Sequence, residues 1–117
     1  MGNTAPPSDW NELAFDSGSW LEGLGGIGYG DEDDNTVIPP LSSVYMRQAF
    51  SINDLSIIEG MLLSADYDDG YVAYLNGVEI ARSDNLIAQP PSFNTYTEVD
   101  HEAVLYSGGT PESIQLS

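Results

Sequence analysis

The chain of 117 residues sets nineteen acidic residues against two cations, Arg47 and Arg82, with no lysine and no cysteine, for a net charge of −17. A single domain so charged has nothing to replace the counterions of nucleic-acid phosphates and is repelled by anionic lipid surfaces. The missing cysteines exclude a disulfide framework, a zinc–thiolate site and a thiol nucleophile. Self-repulsion of this size is tolerated where salt screens it or a cation neutralises part of it, which points to a saline or calcium-containing setting outside the cell.

Residues 1–9 read as a polar, proline-containing lead-in, and one domain is expected over 10–117. Met1-Gly2-Asn3-Thr4 has no basic or apolar run behind it and opens no signal peptide, so any export signal is expected upstream. No apolar segment approaches the roughly 20 residues of a membrane helix. From Trp10 to Gly30 the chain is rich in aromatics and glycine. The glycines at 23, 25, 26, 28 and 30 exclude a helix there, and Trp10, Phe15 and Trp20 are expected to pin the segment to a core. Asp31 to Thr36 is an acidic loop closed by Pro39-Pro40.

Val44 to Ile52 alternates with period two, placing Val44, Met46, Phe50 and Ile52 on one face and Tyr45, Arg47, Ala49 and Ser51 on the other, which predicts a strand. A second strand is expected over Ile57–Ala65, and a short helical turn at Ser8–Leu13 or Asp54–Ile57. Asn76-Gly77 predicts a two-residue type I′ hairpin. In that hairpin Leu75 faces Val78, Ala73 faces Ile80 and Tyr71 faces Arg82, with Tyr74 and Glu79 on the other side. Residues 84–96 form a loop, and Glu98–Tyr106 and Glu112–Leu116 supply two more strands. The fold class is all-β, with the strand spacing of an antiparallel β-sandwich or jelly roll.

Trp10, Phe15-Asp16-Ser17, Trp20, Gly26-Ile27-Gly28-Tyr29-Gly30-Asp31, Ser43-Val44-Tyr45-Met46-Arg47, Tyr67-Asp68-Asp69-Gly70-Tyr71-Val72-Ala73-Tyr74-Leu75-Asn76-Gly77 and Glu79-Ile80-Ala81-Arg82 form an ordered series. The series resembles the galactose-binding-like jelly-roll module of large bacterial surface proteins, which sits beside lamin-tail domains, CotH-type domains and secretion-sorting tails. The resemblance implies a secreted or cell-surface location and a carbohydrate or neighbouring domains of a larger protein as partners. It also implies a continuation after Gly109-Thr110-Pro111-Glu112-Ser113 that this chain lacks. The final strands are therefore expected beyond Ser117, or the core is completed by a second copy through dimerisation or strand exchange.

Two acidic stretches are candidates for calcium, which takes six to eight hard oxygens in flexible geometry. Asp66, Asp68 and Asp69 crowd the hairpin entrance, and Asp31 and Asp33 lie in the acidic loop. Asp-Asp-Gly at a strand entrance is also similar to the calcium-dependent sugar site of protective-antigen-type yeast lectins. The alternative for both stretches is a solvated turn, with an Asx bond and positive φ at Gly70 in the first. For a sugar, Tyr71 and Tyr74 are the stacking platforms, with Arg82 and Asp69 as polar contacts. Arg47 and Arg82 are each expected to pair with acids, and Arg82 to lie over Tyr71. His101, between Asp100 and Glu102, has no nucleophile motif or second histidine to work with. No nucleophile elbow, metalloprotease helix, phosphate-binding loop or zinc spacing is present, so no enzymatic activity is expected.

Overall fold

The computed structural model describes residues 5–29, 34–86, 91–92, 94–97, 100–104 and 108–116. Its strands are β1 (Ile27–Gly28), β2 (Thr36–Val37), β3 (Met61–Ala65), β4 (Val72–Leu75), β5 (Val78–Arg82) and β6 (Glu112–Leu116), with one 3₁₀ turn at Leu55–Ile57. They form three two-stranded ladders: β1 with β2 in parallel, and β3 with β6 and β4 with β5 antiparallel. The fold is mostly β, with no α-helix among the described residues. No helix among them is long and apolar enough to cross a membrane.

The β4–β5 hairpin closes on Asn76 and Gly77, at φ of 49° and 86°. Both positive angles are those a type I′ turn demands, and a side chain with a branched β-carbon is strained there. Leu75 pairs with Val78 and Tyr74 with Glu79, as expected. Beyond them the register departs from expectation. A bulge leaves Ile80 as the extra residue, so Ala73 pairs with Ala81 and Val72 with Arg82, and Tyr71 meets Ser83. The Ser83 amide donates to the Tyr71 carbonyl at 3.0 Å, and the Ser83 hydroxyl accepts from the Tyr71 amide at 3.0 Å. Ser83 is the most buried residue described, at 1% exposure, followed by Leu86. A buried hydroxyl with both roles filled carries little desolvation penalty.

The β3–β6 ladder pairs Met61 with Leu116, Leu63 with Ile114 and Ala65 with Glu112. Every second residue of β3 is half-buried, and the Ile114 and Leu116 positions of β6 match that face. On the outer face Ser64 and Ser113 share a hydrogen bond of 3.1 Å. The strand starts at Met61 and not at Ile57, because Leu55–Ile57 forms the 3₁₀ turn, capped by Asp54 accepting from the Ser56 amide and hydroxyl.

The short parallel β1–β2 pair draws the glycine-rich loop onto residues 35–38. Thr36 and Ile38 amides donate to the Gly26 and Gly28 carbonyls, and the Asn35 and Thr36 side chains donate to the Gly25 and Leu24 carbonyls. A β-carbon on Gly28 would meet the Asp34 carboxylate at 2.7 Å, so any other residue there displaces that side chain. As expected, Trp10 packs inward, its ring edge-on to Tyr45 at 4.9 Å and to Tyr74 at 5.6 Å.

Residues 44–52 alternate as expected but pair with no strand among the described residues, and their faces are inverted. Ser43, Tyr45 and Arg47 turn inward, while Met46 is 62% and Phe50 60% exposed, with Val44 and Ile52 also open to solvent. Arg47 supplies the reason. Its guanidinium donates to the Phe15 carbonyl at 3.0 Å, the Ser17 hydroxyl at 2.9 Å and the Glu12 carbonyl at 2.9 Å, and lies 5.2 Å over the Phe15 ring. A charged donor on three oxygens holds its face of the segment inward, and period two then turns the apolar row outward. Arg47 pairs with no carboxylate among the described residues, against expectation; carbonyl dipoles and a ring take that place. Of the strand expected over 98–106, residues 100–104 are described and form no ladder, and the remainder lies outside the described residues.

Candidate functional site

The acidic turn at the hairpin entrance is fastened to residues 101–104. The Asp66 carboxylate accepts from the Val104 amide at 2.8 Å, and the Asp68 carboxylate accepts from the Ala103 amide at 2.7 Å. The Asp69 amide donates to the His101 carbonyl at 2.6 Å, and the Asp69 carbonyl accepts from the Asn85 side-chain amide. Carboxylates thus stand in for a strand partner, supplying acceptors to amides that no ladder satisfies. Asp69, at φ 63°, takes the positive angle expected of Gly70. Aspartate tolerates that region by bonding locally. Gly70 is needed for proximity instead, since a β-carbon there would meet the Thr97 methyl at 2.6 Å and the Ser83 hydroxyl at 2.9 Å.

Between this turn and β6 lies an aromatic group. The His101 ring stacks on Tyr67 at 4.1 Å and 14°, and Tyr71 meets the other ring edge-on at 4.7 Å. His101 Nδ1 lies 3.0 Å from the Tyr67 carbonyl, and the Tyr67 hydroxyl donates to Glu112 at 2.9 Å. Burial, reinforced by that bond to Glu112, pushes the Tyr67 phenol up to about 12. The Tyr71 phenol is raised too, by burial and then by the Glu112 charge. Its hydroxyl oxygen is buried beside the Glu112 carboxylate, without a hydrogen bond of full geometry to it. An open pocket of about 200 Å³ is lined by Tyr67, Asp84, Asn85, Asp100, His101 and Glu112.

The expected site residues fall in several places. Asp66, Asp68, Asp69 and Tyr71 neighbour the segments that carry Tyr67 and His101, and none of them lines the pocket. Tyr74 faces Trp10 on the opposite side of the hairpin. Arg82 is bound to Glu79 through Nε at 3.0 Å and through a second nitrogen, and donates to the Leu86 carbonyl at 3.0 Å. The cation lying over a ring is Arg47, above Phe15. Asp31 and Asp33 lie outside the described residues. Among the described residues, no group of three or more Asp, Glu or His side chains is gathered tightly enough to hold a metal ion.

Sequence reasoning singled out neither Tyr67, Asp84, Asn85, Asp100 nor Glu112 as a site residue. Tyr67 belongs to the same Tyr-Asp-Asp-Gly block as the acids that were singled out. Glu112 was placed on a strand, but only the pairing of Ala65 with Glu112 brings it to Tyr67. A second pocket, of about 360 Å³, is bounded by Pro6, Pro7, Trp20, Leu21 and Tyr45. No family model, curated protein or solved structure matches the chain.

Proposed function

We propose that the chain is a non-catalytic carbohydrate-binding module of a secreted or cell-surface bacterial protein, built as a galactose-binding-like β-sandwich and stabilised by calcium. The observation that carries this reading is the pocket beside Tyr67 and His101. One wall is aromatic, and the rest is carboxylate and amide, the groups that take sugar hydroxyls as hydrogen-bond donors and acceptors. A glycan array probed with and without calcium tests the reading. Binding to a defined set of glycans, reduced in Tyr67→Ala, is the expected result, and an empty array with folded protein defeats it.

Calcium is supported by charge and donor type. The acids at 31–34 and 66–69 are hard oxygen ligands in a chain at −17, and an ion there would offset their mutual repulsion. Binding to the native state alone raises the melting temperature with ln(1 + [L]/Kd). Calcium is expected to raise it more than magnesium, which sheds water reluctantly. Identical melting curves in chelator and in excess calcium at fixed ionic strength would leave screening as the only role of salt.

An architectural or adhesion role is favoured by a different observation, the exposed row of Val44, Met46, Phe50 and Ile52. Contiguous apolar side chains in water mark a surface that meets a partner. That partner would be a neighbouring domain or a second copy exchanging a strand. Sedimentation equilibrium separates the two, because a second copy gives a concentration-dependent mass.

A further inference from the structure

Residues 44–52 combine an outward apolar row with backbone that no ladder uses. They form no backbone–backbone hydrogen bond with the described residues, and of their peptide groups only the Ala49 carbonyl is engaged, by the Gln48 side-chain amide at 3.0 Å. Unpaired N–H and C=O groups along such a segment are a template for another strand. The segment also lies within residues 35–53, the longest stretch of the chain without an acid. On a chain at −17, a second copy meets the least repulsion where acids are missing. Arg47 adds no outward charge there, because its guanidinium is turned in onto residues 12–17.

The order of residues is self-complementary about Gln48. Laid antiparallel against a copy of itself on a two-fold axis at Gln48, the segment sets Val44 opposite Ile52, Met46 opposite Phe50 and Gln48 opposite Gln48. On the inner side Tyr45 meets Ser51 and Arg47 meets Ala49. Apolar pairs of this kind stabilise a ladder, and no like charges face each other. An axis at Arg47 would oppose two guanidinium groups, and one at Met46 would set Phe50 against Ser42. An axis between residues would put the two apolar rows on opposite faces.

From this pattern we infer that the chain forms a two-fold homodimer by antiparallel pairing of residues 44–52, in the register that places Gln48 on the axis. This rests on the reading of the exposed row as a partner surface and commits that surface to a second copy; it is independent of the carbohydrate reading. The interface is isologous, the same segment on both subunits. Its ladder takes up the open peptide groups, and its cross-strand pairs flank the apolar side chains. A single strand pair is a small interface, so the expected dimer is weak, with a Kd on the order of 10–100 μM.

The test uses the full chain in chelator, by sedimentation equilibrium in sodium chloride at 0.1 M and 1 M. The mass should rise with protein concentration, and association should tighten with salt as the Debye length falls from about 10 Å to about 3 Å. Met46→Glu/Phe50→Glu alters two exposed side chains and should give a monomer at every concentration, with an unchanged circular dichroism spectrum. Register is read by disulfide trapping, since the chain has no cysteine to compete. Residues directly opposite in an antiparallel pair have Cα atoms about 4.5–5.5 Å apart, within disulfide range, so Gln48→Cys should cross-link. In the same register the two sites of Ser51→Cys lie about 20 Å apart. Covalent dimer from Gln48→Cys should form at least about tenfold faster than from Ser51→Cys. A monomer in both salts, association that weakens with salt, a dimer that survives Met46→Glu/Phe50→Glu, or equal trapping at the two sites each overturns the inference. Nile red, a neutral dye, then separates the two failures. Fluorescence that is lost in Met46→Glu/Phe50→Glu leaves the partner-surface reading standing with a neighbouring domain as partner; fluorescence unchanged in that variant takes the reading down as well.

Discussion

Residues 61–86 and residues 34–60 are neighbours in sequence and opposites in construction. The first stretch holds β3, β4 and β5 and the two buried residues among those described, Ser83 and Leu86. The second holds only the two-residue strand β2 and one 3₁₀ turn, with its apolar side chains largely in water. Hydrophobicity does not distinguish them, since Val44, Met46, Phe50, Ile52 and Ile57 are as apolar as the residues of β3. The distinction lies in where order comes from. The hairpin is fixed by a turn whose two residues are adjacent in sequence, so closing it loses little chain entropy. Residues 44–52 are held chiefly by one guanidinium reaching back about thirty residues to Phe15 and Ser17, with Tyr45 against Trp10 beside it. A local turn brings its own register; a distant clamp holds only the face it touches.

The contrast is most severely tested at Arg47. Arg47→Ala removes three charge-assisted donors and the contact over Phe15, and is expected to destabilise the fold by about 2–4 kcal/mol in urea denaturation. Arg47→Lys should recover little of that, because an ammonium lacks the planar fork. A loss within error of zero would mean that residues 44–52 are held by something else. Next in size is Ser83→Ala in the ordered stretch. It strips the acceptor from the buried Tyr71 amide and is expected to cost about 1–3 kcal/mol by the same measurement. Gly77→Val attacks the turn itself and should cost about 1 kcal/mol or more, with hydrogen exchange accelerated in β4 and β5 specifically.

The smallest effect is a pH dependence. Tyr67 titrates at about 12 in the folded protein against an ordinary 10.0. The folded state therefore keeps a proton that the unfolded chain releases, so its stabilisation is intact below pH 10 and is lost as pH rises through about 12. Tyr67→Phe should flatten that part of the stability profile. Spectrophotometric titration of the wild-type protein should show a tyrosine ionising above the rest.

How much of this was legible follows from the same distinction. Asn76-Gly77 announced the hairpin because a type I′ turn is a two-residue decision. The bulge at Ile80 left no mark, since no glycine or proline signals it and its effect emerges only at Tyr71 and Ser83. The strand at Glu112–Leu116 was readable from its composition, but its partner was not: Ser64 and Ser113 meet across 49 residues. The pocket inherits that difficulty, because Glu112 reaches Tyr67 only through this pairing. Alternation over 44–52 correctly gave two faces, yet alternation is symmetric and cannot say which face is inward. Arg47 decides that, through oxygens that no periodicity reveals. The Asp66 and Asp68 carboxylates were read as ion ligands or solvated turn acids, and they accept the amides of Val104 and Ala103.

The commitment of both arginines has a consequence for how the protein behaves in the hands of a protease. With no lysine in the chain, trypsin has only the bonds after Arg47 and Arg82 to attack. The first lies in the segment whose guanidinium is anchored on residues 12–17, and the second adjoins Ser83, at 1% exposure. Cleavage needs an extended, accessible stretch around the bond, so each site becomes cuttable only when its own neighbourhood opens. The chain thus carries two built-in reporters. The rate of cutting after Arg47 reads the opening of the clamp, and the rate after Arg82 reads the opening of the hairpin, from a single digest analysed by mass.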